Sequence, residues 1–179
     1  MKNSIRMMIV VAVLLFAIHN VWAEMGIGKV PKQVSLQDKL GGRLDGAAWS
    51  STEFKDKITI LFYVDPDEEN LNEHASQALD KEQFPKEKVQ SYAIINMAAT
   101  WMPNFAISSV LKKSQEKYPT TTYIRDYKKV LVNEWGLMDD SSDVLIFDKA
   151  GNLIFRKDGK LSDEDVKAMI KAIWGQLKA

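Results

Sequence analysis

The chain alternates between short apolar runs and longer stretches whose apolar positions recur at helical spacing. Ile58 to Val64 (Ile-Thr-Ile-Leu-Phe-Tyr-Val) is continuous, apolar, β-branched and aromatic, the pattern of a strand buried on both faces of a sheet. Asp65-Pro66-Asp67 stops it with a turn signal. Asn70 to Lys81 follows as a helix, with Leu71, Ala75, Ala78 and Leu79 at helical spacing and Phe84-Pro85 as its end. Ser91 to Met97 is a second apolar strand. Phe105 to Lys117 places Ile107, Val110 and Leu111 on one helical face and stops at Tyr118-Pro119. Thr121 to Ile124 makes a third short strand, and Lys129 to Trp135 a short helix ending at Gly136. Val144 to Phe147 and Leu153 to Arg156 flank a turn over 148–152 and predict a hairpin, with Gly151 supplying positive φ. Ser162-Asp163-Glu164-Asp165 is a capping box with Asp in place of Glu. Behind it Val166, Met169, Ile170, Ile173, Trp174 and Leu177 keep helical spacing. Upstream, Val30 to Leu36 alternates loosely as a strand, and Gly41-Gly42 with Gly46 marks a turn region.

Strand–helix–strand units repeated in sequence imply right-handed parallel crossovers, and the terminal hairpin adds antiparallel strands. The predicted class is α/β: a mixed central sheet with helices on both faces, then a C-terminal hairpin and helix.

The first residues change the picture of where this domain works. Lys2 and Arg6 precede 12 wholly apolar residues, Met7 to Ile18, and Val21-Trp22-Ala23 ends in a peptidase-type site. That is the three-part pattern of a secretory signal cleaved after Ala23, and the run is too short to span a bilayer. The expected domains are residues 1–23 as signal and 24–179 as one mature domain, periplasmic, with no membrane span left after processing. The mature chain holds 22 basic and 24 acidic residues, net −2. Such a balance gives phosphate no basic surface, so nucleic acid is not an expected partner. Cysteine is absent from the whole chain, so packing alone holds the domain together.

The order of elements resembles the thioredoxin-like fold, in its exported peroxiredoxin and TlpA-like branch. Val30-Pro31 with Gly41-Gly42, the strand end Phe62-Tyr63-Val64-Asp65, and Val144 to Gly151 carry that likeness. More narrowly, Ser141-Ser142-Asp143-Val144, the Asp148-Lys149-Ala150-Gly151 turn, and Lys157-Asp158-Gly159-Lys160-Leu161 leading into Glu164-Asp165-Val166 resemble the YtfJ-type family of small exported bacterial proteins. The resemblance implies a periplasmic, thioredoxin-like protein of unsettled function. Laid on the thioredoxin pattern, Asp67 and Asn70 stand where two cysteines would sit, and Ser142 near the position of the cis-proline. A thiol redox site works because a helix N-terminus lowers the first thiol's pKa, and this chain has no thiol to lower. Thiol–disulfide exchange and peroxidase chemistry are excluded.

Acid replaces it. Asp65, Asp67, Glu68, Glu69 and Asn70 belong to one loop, and Asp139, Asp140, Ser141, Ser142 and Asp143 to the loop expected to face it. Fixed negative charge there suits a cationic peptide or an oxygen-coordinated ion, with Asp67 and Asp143 the candidate metal ligands. Ordinary cap and turn chemistry accounts for the same residues, and no EF-hand spacing is present. His74, the only histidine after the signal, has too few partners for a zinc site. Trp101-Met102-Pro103-Asn104-Phe105 reads either as an aromatic docking patch or, preferably, as a helix-entry staple packed into the core. Tyr123, Tyr127 and Trp135 read as core or core edge. The leading expectation is a binding or adaptor protein of the cell envelope without cofactor. Its contact surface is residues 65–70, 98–104 and 139–143, and its partner an envelope protein or cationic peptide. A carboxylate- or metal-dependent enzyme on the same loops is the alternative, and a structural or chaperone-like role a third.

Overall fold

The computed structural model describes residues 25–179. The expected signal over 1–23 lies outside them. Eight strands and four α-helices follow in chain order: β1 (Ser35–Leu36), β2 (Gly41–Arg43), β3 (Trp49–Ser50), β4 (Ile58–Val64), α1 (Glu73–Lys81), β5 (Val89–Asn96), α2 (Asn104–Lys117), β6 (Thr121–Asp126), α3 (Val130–Trp135), β7 (Ser142–Phe147), β8 (Leu153–Lys157) and α4 (Asp163–Lys178). Six strands form one sheet in the order β2-β6-β5-β4-β7-β8, and β1 and β3 pair apart from it. β4, β5 and β6 run parallel, while β2, β7 and β8 are antiparallel to their neighbours.

β4 is central because both its faces are apolar. Ile58, Ile60 and Phe62 point to one face, with Val144 and Ile146 of β7, and meet Ala75 and Leu79 of α1 and Val166, Met169 and Ile173 of α4. Ala93 and Ile95 of β5 meet Ile107 and Leu111 of α2 on that same face. Leu61 and Tyr63 point to the other face, where Tyr92, Ile94, Ile124, Leu145 and Phe147 pack under α3 and the N-terminal segment. Phe54, Phe147, Trp49, Tyr92 and Trp135 form a ring cluster there, Phe54 and Phe147 with centroids 4.6 Å apart. Burying each such side chain contributes on the order of 2 kcal/mol, which is how a chain without disulfides closes a stable core.

Four sequence expectations change. The strand over Val30 to Leu36 shrinks to Ser35–Leu36, because Val34 and Leu36 pack into the core beside the rings while the backbone pairs strand to strand only with β3. Gly41-Gly42 is not a turn but the start of β2, paired with Asp126 and Arg125. At Gly41, φ is 141° and a Cβ would lie 1.8 Å from the Arg125 carbonyl oxygen, so only glycine permits this approach. The helix expected from Asn70 begins at Glu73, after a 3-10 turn at Pro66–Glu68. Trp101 and Phe105 are not a buried staple: they are 89% and 77% exposed, and Met102 is the residue that turns inward. The capping box is present as read, with Ser162 Oγ accepting from Asp165 N–H and Asp165 accepting from Ser162 N–H.

Candidate functional site

The loop after β4 and the loop before β7 meet at the C-terminal edge of the parallel strands, because Val64 and Ser142 are register partners. Asp65 N–H donates to Ser141 C=O at 2.8 Å, and the Asp65 carboxylate accepts from Asp67 N–H at 2.8 Å. Burial raises the Asp65 pKa, and the nearby Asp67, Asp140 and Glu68 add to it. Thr100 Oγ1 donates to Asp67 at 3.1 Å. Glu68, Glu69 and Asn70 are exposed, and so is Asp140, which adopts φ 53°.

The acids of the second loop have distinct surroundings. Asp139 accepts from Asn96 Nδ2 at 2.9 Å and pairs with Lys129. Burial opposes its ionisation, but these two donors hold it below the usual carboxylate range. Asp143 is 0% exposed, on the α3 side of the sheet, and accepts from Met138 N–H at 2.8 Å. Burial, then the charge of Asp158, raises its pKa to about 7, against the pull of the Met138 and Gly159 amides and of Arg156. Deeper on that face Tyr63 Oη donates to Asp126 at 3.2 Å, and Asp126 also accepts from the amides of Lys128 and Leu131. Asp67 and Asp143 therefore have separate surroundings. Among the described residues no three His, Asp or Glu side chains converge on a metal position.

Ser142 points to the opposite face, toward Asn72. Asn72 Nδ2 donates to Ser142 C=O at 3.0 Å, to Ser142 Oγ at 3.2 Å and to Gly159 C=O at 2.9 Å, while its Oδ1 accepts from Leu161 N–H at 2.9 Å. One side chain, 3% exposed, thus ties the start of α1 to β7 and to the segment entering α4. Nothing in the sequence singled out Asn72 beyond an Asn near a helix start. Nearby, His74 Nε2 lies 3.0 Å from Leu161 C=O, a structural contact.

A groove opens on the same face between α1 and α2, with a volume of about 1060 Å³. Phe62 and Val64 of β4 with Ala93 and Ile95 of β5 form its floor. Met102, Ala106 and Val110 stand on the α2 side, and Glu69, Glu73 and Asp80 on the α1 side. Exposed Trp101 and Phe105 stand next in sequence to the lining residues Met102 and Ala106, in the segment that leads into α2, and do not themselves line the groove. The continuous apolar run of β4 hid this opening, because Phe62 and Val64 read as buried and are only half-buried.

Against known proteins, residues 33–176 match a family described as bacterial protein of unknown function, YtfJ_HI0045. The chain belongs to this family. An uncharacterised protein of Haemophilus influenzae is 27% identical over 133 residues, 73% of this chain and 72% of that one. The uncharacterised protein YtfJ of Escherichia coli is 26% identical over the same shares. Among solved structures, one of a putative protein disulfide isomerase from Bacteroides thetaiotaomicron has a TM-score of 0.64 at 13% identity, covering 87% of this chain and 92% of its own. A peroxiredoxin-like protein from Aquifex aeolicus has a TM-score of 0.58 at 14% identity, covering 84% and 89%. At such identities the likeness is one of fold, and the fold of this YtfJ-family chain is thioredoxin-like. Asp67 and Asn70, which the resemblance sets at the thiol positions, are exposed, and beside them the Asn72 carboxamide donates to the carbonyl and hydroxyl of Ser142.

Proposed function

We propose that this YtfJ-family protein is exported to the periplasm and works there as a binding or adaptor protein without redox chemistry. The observation that carries the reading is the open groove between α1 and α2, with Trp101 and Phe105 exposed in the segment that leads into α2. Soluble domains rarely leave two large aromatic side chains in water near a groove with an apolar floor unless something covers them. The export half of the reading is supported by the basic, apolar and small-residue order of residues 1–23. The enzyme alternative has less support, since the candidate ligands Asp67 and Asp143 do not converge.

One experiment in cells addresses both halves. A photocrosslinking amino acid replaces Phe105 in one strain and exposed Lys149, in the β7–β8 turn, in another. The expected result is release of the protein with the periplasmic fraction, an N-terminus at Glu24, and adducts from position 105 that position 149 does not give. Retention in the cytoplasm sinks export, and the same pattern from both positions sinks binding at the groove.

A further inference from the structure

The groove's two walls differ in chemistry, and that difference specifies an occupant. Its α2 wall is apolar, with Met102, Ala106 and a Val110 that is 48% exposed. Its α1 wall is polar and acidic, with Glu69, Glu73, Gln77 and Asp80. From position 65 to 73 the chain carries five acids and no base, and two of them, Glu69 and Glu73, line the groove, so with Asp80 its α1 wall carries three carboxylates. Lys86 and Lys117 line the groove too. Lys117, at the C-terminus of α2, lies over the Tyr118 ring at 4.9 Å and also feels the charge of Glu73, which leaves Glu69 and Asp80 as the wall's acids farther from Lys117.

We infer that the groove takes a segment of another polypeptide that carries large apolar side chains on one side and lysine or arginine on the other. The inference rests on the binding reading above and names the partner's chemistry. The apolar side packs on the α2 wall and the β4–β5 floor, and the cations face Glu69 and Glu73. A fatty acid or anionic lipid would bring its headgroup against these acids, and like charge at close range is costly. Strand addition is unavailable, because the floor strands β4 and β5 are hydrogen-bonded on both sides within the sheet. Recognition therefore runs through side chains. The size fits: the volume sits at the upper end of small-molecule pockets, and the 14 residues of α2 give a wall about 21 Å long.

The test uses the mature chain and labelled synthetic peptides followed by fluorescence anisotropy: alternating leucine and lysine, leucine and glutamate, and serine and lysine. Vesicles of phosphatidylglycerol form a fourth arm. The leucine–lysine peptide is expected to bind at least about tenfold more tightly than either control peptide, and to weaken with salt. Ala106→Phe, which narrows the groove at its α2 wall, should weaken that preference. Glu69→Lys with Glu73→Lys should transfer it to the leucine–glutamate peptide, and exposed Glu69→Lys alone should reduce it without touching the helix. Equal binding of the acidic peptide, or binding indifferent to Ala106→Phe, overturns the cationic partner while adducts from position 105 keep the binding reading alive. Vesicle binding stronger than peptide binding overturns it in favour of a membrane surface. Loss of position-specific adducts in cells removes the binding reading itself.

Discussion

Asn72→Ala is the substitution that tests the description of the loop junction most severely. The side chain makes three donor contacts and accepts one, with two separate segments, β7 and the stretch entering α4. Truncation leaves Leu161 N–H buried with no acceptor, which costs about 1–3 kcal/mol. The Ser142 and Gly159 carbonyls each lose one donor, at roughly 0.5–1.5 kcal/mol apiece. The sum is about 3 kcal/mol, a large fraction of the stability of an ordinary domain. Urea unfolding followed by the fluorescence of buried Trp49 and Trp135 measures it. With a slope near 2 kcal/mol per molar, the midpoint should fall by roughly 1.5 M at unchanged slope. Asn70→Ala, two residues away and exposed, should stay within about 0.5 kcal/mol of the parent. Asn72→Asp sharpens the test. Its carboxylate keeps the Leu161 acceptor role but faces the Ser142 and Gly159 carbonyl oxygens, so the folded state disfavours its charge. A raised folded pKa on an acid means that stability falls as pH rises above the ordinary aspartate range, near 4, and returns on acidification. An Asn72→Ala protein as stable as Asn70→Ala, or an Asn72→Asp protein without that acid recovery, would refute the clamp.

Asp143 retains its proton in the folded chain up to about pH 7, whereas the unfolded chain loses it near 3.8, so stability should decline as pH rises between those values. Asp143→Asn should flatten that slope and raise stability at about pH 8, by at most about 4 kcal/mol, read from urea midpoints at acidic and alkaline pH. Gly41→Ala forces a Cβ into the Arg125 carbonyl at 1.8 Å and should cost at least about 2 kcal/mol, whereas Gly136→Ala, with φ 62° and open space around it, should cost about 1 kcal/mol, both by thermal melting. Trp101→Phe should remove most of the iodide-quenchable tryptophan emission and shift stability by less than about 0.5 kcal/mol.

The sequence showed the core strands and the last helix because their signals are local. The apolar run of β4 and the Ser162 capping box need no distant partner to be read. β2 was hidden because two glycines carry no side-chain pattern, and their strand exists only through the close approach to β6. The acids of the second loop were visible as a cluster but not as individuals. Asp140 and Asp143 stand three residues apart, yet one is exposed and the other sealed. Asp143 lies within β7, which is buried along its whole length, whereas Asp140 lies in the loop before it at φ 53°, a boundary that composition does not report. Trp101 went the other way: its size favours burial, but Met102 occupies the inward position at the helix entry.

The clamp and the groove also bear on each other. Both lie on the α1 face of the sheet, and Asn72 and Ser142 line the groove's end as well as closing the loop junction. A ligand entering between the loops themselves would have to open the Asn72 contacts, at a cost of about 3 kcal/mol before any binding is gained. A ligand entering between α1 and α2 leaves the Asn72 bonds in place, since the floor there is half-exposed Phe62 and Val64 and the exposed Gln77–Glu73 contact is the hydrogen bond its cations would meet. The same difference predicts how the two regions respond to an occupant. Filling the groove should leave the Asn72 bonds intact and slow exchange of the Leu161 amide only as far as it stabilises the whole fold, whereas an occupant between the loops would speed that exchange by opening the clamp. Hydrogen exchange at that single amide, with and without the leucine–lysine peptide, therefore separates the two entry routes by sign.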